Sequence, residues 1–216
     1  MIKFLIALFV FTIINFSAYA NDLCQKVDDV YIEIHYNIPN YRILNNKNFN
    51  EIATINNRPI IGNYKQTGLT NAVGDYSIKT SFKYQIHNTY YCISVNKVDI
   101  YIGYQFIDVY IPNQYKPGSC EYNEVLKHEL EHVEILTKGI YNNKLNIENN
   151  ISNIISNFKM PIITKDLENT KNLMNDSIKN SYKYLISNMN IKIQNKNSSI
   201  DTSSNYSNIA RKCKNW

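Results

Sequence analysis

Hydrophobic and polar positions alternate along this chain with two different periods, and the change of period divides it. From Val30 to Ile38 the run Val-Tyr-Ile-Glu-Ile-His-Tyr-Asn-Ile repeats every second residue, which predicts a strand. Residues 45–75 are less regular: Arg58-Pro59, Gly62, Gly68 and Gly74 mark turns around short strands or one short helix. Alternation returns at Ser81. Residues 81–87, 90–96 and 98–111 are rich in Tyr, Ile, Val and Phe, with breaks at Asn88-Thr89 and Asn96-Lys97, and predict three strands of an antiparallel meander. Pro112, Pro117 and Gly118 end the sheet.

Beyond Cys120 the period is helical. With His128 at zero and about 100° per residue, His132 falls near 40°, Val125 near 60°, Leu136 near 80°, Glu129 near 100° and Val133 near 140°. Lys127, Glu131 and Glu134 gather on the opposite arc, so His128, Glu129 and His132 share the apolar face. Ile140, Ile147, Ile151, Ile154 and Phe158 continue that phase. This predicts either one long helix or a helix hairpin pivoting at Gly139, since an interior glycine costs only about 1 kcal/mol relative to alanine. Pro161 ends the region, and Lys165 to Met189 forms another amphipathic stripe through Leu167, Leu173, Met174, Ile178, Tyr182 and Leu185. Residues 190–216 are rich in Asn, Ser and Lys and read as a flexible polar tail as far as Cys213. The expected class is α+β, an antiparallel sheet followed by a helical C-terminal half.

The N-terminus changes the picture. Lys3, the apolar stretch Phe4 to Phe16 and the small-x-small triplet Ala18-Tyr19-Ala20 read as a signal peptide over residues 1–20, and the apolar stretch is too short to span a bilayer. The expectation is a domain over 21–189, exported to the periplasm or secreted, with no stable membrane insertion after cleavage. An oxidising compartment gives meaning to the four cysteines, which can pair in three ways. The preferred pairing is Cys92 with Cys120, tying a strand to the loop before the helix, and Cys24 with Cys213, tying the mature ends. The net charge of +5 is modest, and no stretch interleaves basic clusters with stacking aromatics, so nucleic acid is not an expected partner.

Candidate chemistry centres on His128-Glu129-Leu130-Glu131-His132. Histidines four apart on a helix point the same way and can hold one Zn²⁺, with the intervening glutamate beside them as a general base. Three titratable groups on an apolar face are costly unless an ion and its water pair them. The alternative is a surface helix that happens to carry two histidines. A catalytic zinc takes a third protein ligand, and the candidates are Glu148, if the chain turns at Gly139, or His87, Asp166 or Glu168. His35, alone in its strand, reads as a surface or hydrogen-bonded residue. Asn197-x-Ser199 matches a glycosylation acceptor but carries little in so Asn-rich a chain.

Strands followed by a His-Glu-x-x-His helix resemble the zincin metallopeptidases. More narrowly, Tyr115-x-Pro117-Gly118-Ser119-Cys120-x-Tyr122-x-x-Val125-Leu126-x-His128-Glu129-x-x-His132-Val133 is similar to uncharacterised bacterial secreted proteins thought to be zinc proteases. The resemblance covers residues 100–136. It implies Zn²⁺ as cofactor, His128 and His132 as ligands, Glu129 as the catalytic base and a peptide or protein as substrate. The alternative function is a non-catalytic exported binding or structural protein with a structural or vestigial metal motif.

Overall fold

The computed structural model describes residues 24, 29–55 and 68–214. The expected signal peptide lies outside these residues, as do the turn markers Arg58-Pro59 and Gly62. In chain order the elements are β1 (Tyr31–Asn37), β2 (Arg42–Leu44), α1 (Phe49–Ile55), β3 (Leu69–His87), β4 (Tyr90–Tyr110), α2 (Cys120–Tyr141), α3 (Lys144–Asn157), β5 (Ile162–Thr164), α4 (Leu167–Ile200) and α5 (Ser203–Ala210).

The sheet is organised on β4, with which each of the other four strands pairs. The expected antiparallel sheet is overturned. β2 runs parallel to β4 in the register Arg42↔Asp108, Ile43↔Val109, Leu44↔Tyr110. β1 follows the same direction: His35 stacks on Tyr101 with ring centroids 4.5 Å apart, and Asn37 Nδ2 donates to the Tyr104 carbonyl at 3.1 Å. β5 is antiparallel, with Cys92 opposite Ile163. Parallel partners need a long crossover instead of a tight turn, and here α1 and β3 intervene between β2 and β4. Alternation within a strand carries no information about such a connection. What fixes β2 is polar: Arg42 Nε and Nη2 donate to the two carboxylate oxygens of Asp108 at 2.7 and 2.9 Å, and Asn45 Nδ2 donates to the Ile111 and Pro112 carbonyls at 3.0 Å each.

The meander is also corrected, from three strands to two long ones. Asn88, with φ 53°, and Thr89 form the turn between β3 and β4. Asn96-Lys97 stays inside β4, where Lys97 Nζ pairs with Glu33 Oε2 at 2.8 Å and Asp99 Oδ1 at 2.7 Å. These neighbours give an interior lysine enough partners to remain in the strand.

The chain packs as two compact units. The first contains described residues 24, 29–33, 78–100 and 147–183, with a core of Ile93, Val95, Val98, Ile100, Ile151 and Ile178. The second contains 34–55, 68–77, 101–146 and 184–214; Ile52, Ile102, Ile107, Val109, Val125, Ile140, Met189 and Ile193 are buried in it. Each unit closes its own disulfide: Cys24–Cys92 in the first and Cys120–Cys213 in the second. The expected pairing, Cys92–Cys120 and Cys24–Cys213, is therefore wrong: Cys92 is bonded to Cys24 and Cys120 to Cys213, at Cα separations of 5.8 Å in both bridges.

Neither sequence option for the helices survives. α2 ends at Tyr141, and α3 begins at Lys144, so the break falls at Asn142-Asn143, with Asn143 Nδ2 donating to the Gly139 carbonyl at 2.7 Å. Gly139 lies within α2 for a different reason: a Cβ there would sit 2.4 Å from Cγ1 of Ile193 on α4. The polar tail is corrected too. α4 continues to Ile200 because Met189 and Ile193 extend the apolar series of Leu185, and all three are buried.

Candidate metal centre

Ser119 starts the helix that carries the motif, its Oγ accepting from the Tyr122 amide at 3.2 Å. From that start the apolar face turns inward. His128, Glu129 and His132 are 3%, 3% and 8% exposed, values that ionisable side chains reach only when something pairs them.

What pairs the histidines is Asp201, at the junction between α4 and α5. His132 Nε2 lies 3.0 Å from Asp201 Oδ1, His128 Nε2 lies 3.2 Å from the same oxygen, and the two Nε2 atoms are 3.3 Å apart. Three Lewis bases thus form a small triangle. Zn–N bonds of about 2.0–2.1 Å at tetrahedral angles place neighbouring donors roughly 3.3 Å apart, so these residues fit such an ion. His132 Nδ1 donates to Asn197 Oδ1 at 2.9 Å, an arrangement that turns Nε2 toward the triangle and matches the outer support typical of metal-binding histidines. His128 Nδ1 is buried with no hydrogen-bond partner among the described residues. Tyr206 donates its hydroxyl proton to Asp201 Oδ1 at 2.8 Å, and its ring lies 5.3 Å from that of His128. The three triangle residues constitute a group able to hold a metal ion. No family model, curated protein or solved structure matches the chain.

The electrostatics follow the geometry. Burial opposes charge on His132, yet Asp201, Glu129 and Asn197 outweigh it and raise its pKa to about 8. An ion held by this triangle at neutral pH would have to compete with that proton. Burial would raise the Asp201 carboxyl, but hydrogen bonds from His128, His132 and Tyr206 hold it well below the usual carboxylate range. Burial pushes Glu129 up, against the pull of His132, His128 and Thr70.

Glu129 is held from the sheet side. Thr70, near the start of β3, donates to Glu129 Oε2 at 2.8 Å, and its hydroxyl is also 2.9 Å from the Glu129 carbonyl. Just before β3, Gly68 approaches so closely that a Cβ would sit 2.6 Å from both Glu129 Oε1 and Val125 Cγ1. Glycine is required there for contact, because any side chain would displace the carboxylate.

The four sequence candidates for a third ligand are not part of this centre. Among the described residues the group around His128 and His132 is completed by Asp201, and His87, Glu148, Asp166 and Glu168 are not members of it. Asp166 instead caps α4, accepting from the Asn169 amide at 3.0 Å, and Glu168 accepts from Lys171 Nζ at 2.8 Å. Sequence reasoning missed Asp201, Asn197, Tyr206 and Thr70. One signal was available: Asp201-Thr202-Ser203 reads as a helix break followed by a cap, and Thr202 Oγ1 does accept from the Asn205 amide at 3.2 Å.

Proposed function

We propose that this chain is an exported zinc-dependent metallopeptidase of zincin type. The observation that carries the reading is the convergence of His128, His132 and Asp201 Oδ1 beside a buried Glu129. Two imidazoles and a carboxylate match the donor set of a catalytic zinc, which leaves a fourth position open. Zn²⁺ bound there supplies Lewis acidity, making a water acidic near neutral pH and polarising a carbonyl.

The chain's own residues do the rest. Glu129 accepts the proton of the attacking water and delivers it to the leaving amine; its burial-raised proton affinity suits a base that must also act as an acid. Thr70 and Gly68 keep its carboxylate on the inner side of α2. Asn197 and Tyr206 orient the ligands. Two disulfides suit an oxidising compartment, and no helix among the described residues is long and apolar enough to cross a membrane. Together with the expected signal peptide the disulfides support a periplasmic or secreted protein, and peptides or proteins are its proposed substrates.

Purified protein is expected to cleave an unstructured, fluorogenically labelled polypeptide, to lose that activity on dialysis against a chelator and to regain it with one equivalent of zinc. Cleavage that persists after the metal is stripped would defeat the proposal.

A further inference from the structure

Cys120, Glu124, His128 and His132 are spaced four apart and form one row along α2. Every member of that row meets the chain's last segments, in reverse order. Cys120 is bonded to Cys213, and Glu124 Oε2 accepts from Lys212 Nζ at 2.7 Å. His128 meets Tyr206 and Asp201, and His132 meets Asn197 and Asp201. The row that presents the two histidines is therefore also the row on which residues 197–213 are laid.

The contacts differ in strength. The Lys212–Glu124 pair is partly exposed and holds little by itself. α5 has only eight residues, too few to be stable as an isolated helix, and Ile209 is its buried apolar side chain. Asp201 lies at a junction between helices, where ordering the backbone has an entropic cost. The covalent link at the far end restricts the segment before any ion arrives and raises the effective concentration of Asp201 at the histidines.

We propose that the Cys120–Cys213 bridge positions the third ligand, so that the protein holds its metal tightly only while this bridge is intact. The inference rests on the metal reading above but not on peptidase activity. Coupling between two sites is reciprocal, so bound zinc also shields the bridge from reduction. The Cys24–Cys92 bridge belongs to the other compact unit and serves as the comparison.

The test is zinc affinity, by competition with a chromophoric chelator, in the parent, the Cys120→Ser/Cys213→Ser variant and the Cys24→Ser/Cys92→Ser variant, at a temperature below all unfolding transitions. The first variant is expected to lose at least about tenfold in affinity, and the second to match the parent within about threefold. Mass-spectrometric timing of reduction by a water-soluble phosphine supplies a readout that needs no variant. The phosphine supplies two electrons to each bridge and water supplies the two thiol hydrogens and the oxygen of the phosphine oxide; zinc is expected to slow this at Cys120–Cys213 alone. Equal zinc affinity in parent and first variant, or equal protection of both bridges, overturns the positioning role. Absence of zinc binding by the parent overturns the metal reading as well.

Discussion

Glu129→Gln is expected to leave zinc stoichiometry unchanged while lowering peptide hydrolysis by at least about 100-fold, the usual scale for loss of a general acid–base group. Glutamine keeps the shape that fits under Gly68 and can still meet the Thr70 hydroxyl, so loss of activity would not reflect a collapsed site. Stability gives an independent check through linkage. Burial raises the Glu129 pKa in the folded protein, so the metal-free fold binds this proton more tightly than the unfolded chain. The group's contribution is greatest below its unfolded pKa of 4.5 and falls as pH rises through the folded value. The neutral variant lacks that loss, and its metal-free melting temperature at neutral pH should equal or exceed the parent's. Calorimetry beside a hydrolysis assay measures both. Undiminished hydrolysis in the variant removes Glu129 from the mechanism.

Asp201→Asn should have the largest effect on the metal. Loss of an outer hydrogen-bond partner alone costs about 10- to 100-fold in affinity, and replacing a charged ligand should exceed that. We expect zinc affinity to fall by more than about 100-fold, with Glu148→Gln as a control that leaves it unchanged. In the metal-free protein the His132 pKa should fall from about 8, because the hydrogen bond and charge of Asp201 help to raise it. NMR titration of the imidazole reads this directly. A variant that keeps both the affinity and the histidine pKa would show that Asp201 is not coupled to the histidines.

How much of this was legible in the sequence depended on the range of the interaction. The inward turn of His128, Glu129 and His132 follows from helical phase, a local property, and all three are buried on α2. The partners of that face are non-local. Asp201 lies 69 residues beyond His132, and Thr70 lies 59 before Glu129, separations that no periodicity encodes. β1 and β2 illustrate the same limit: alternation over 30–38 predicts extended chain for β1 but no direction, and β2, which the pattern did not single out, is joined to β4 by Arg42 meeting Asp108 across 66 residues. Composition misled at the C-terminus. An Asn-, Ser- and Lys-rich stretch reads as a flexible tail, yet Ile193, one turn beyond Met189, continues the buried side of α4, Ile209 is buried on α5, and the disulfide secures the end. The cysteine pairing failed because four cysteines allow three pairings and the partners are set by non-local folding, which bonds Cys24 to Cys92 and Cys120 to Cys213.

The most direct measurement is X-ray absorption at the zinc edge on purified, zinc-loaded protein. Scattering from two imidazoles, with the nearest nitrogen and oxygen atoms at about 2.0–2.2 Å and the oxygen contribution altered in Asp201→Asn, is what this centre predicts. A sulfur shell, or a spectrum lacking imidazole scattering, would place the ion elsewhere and contradict the account.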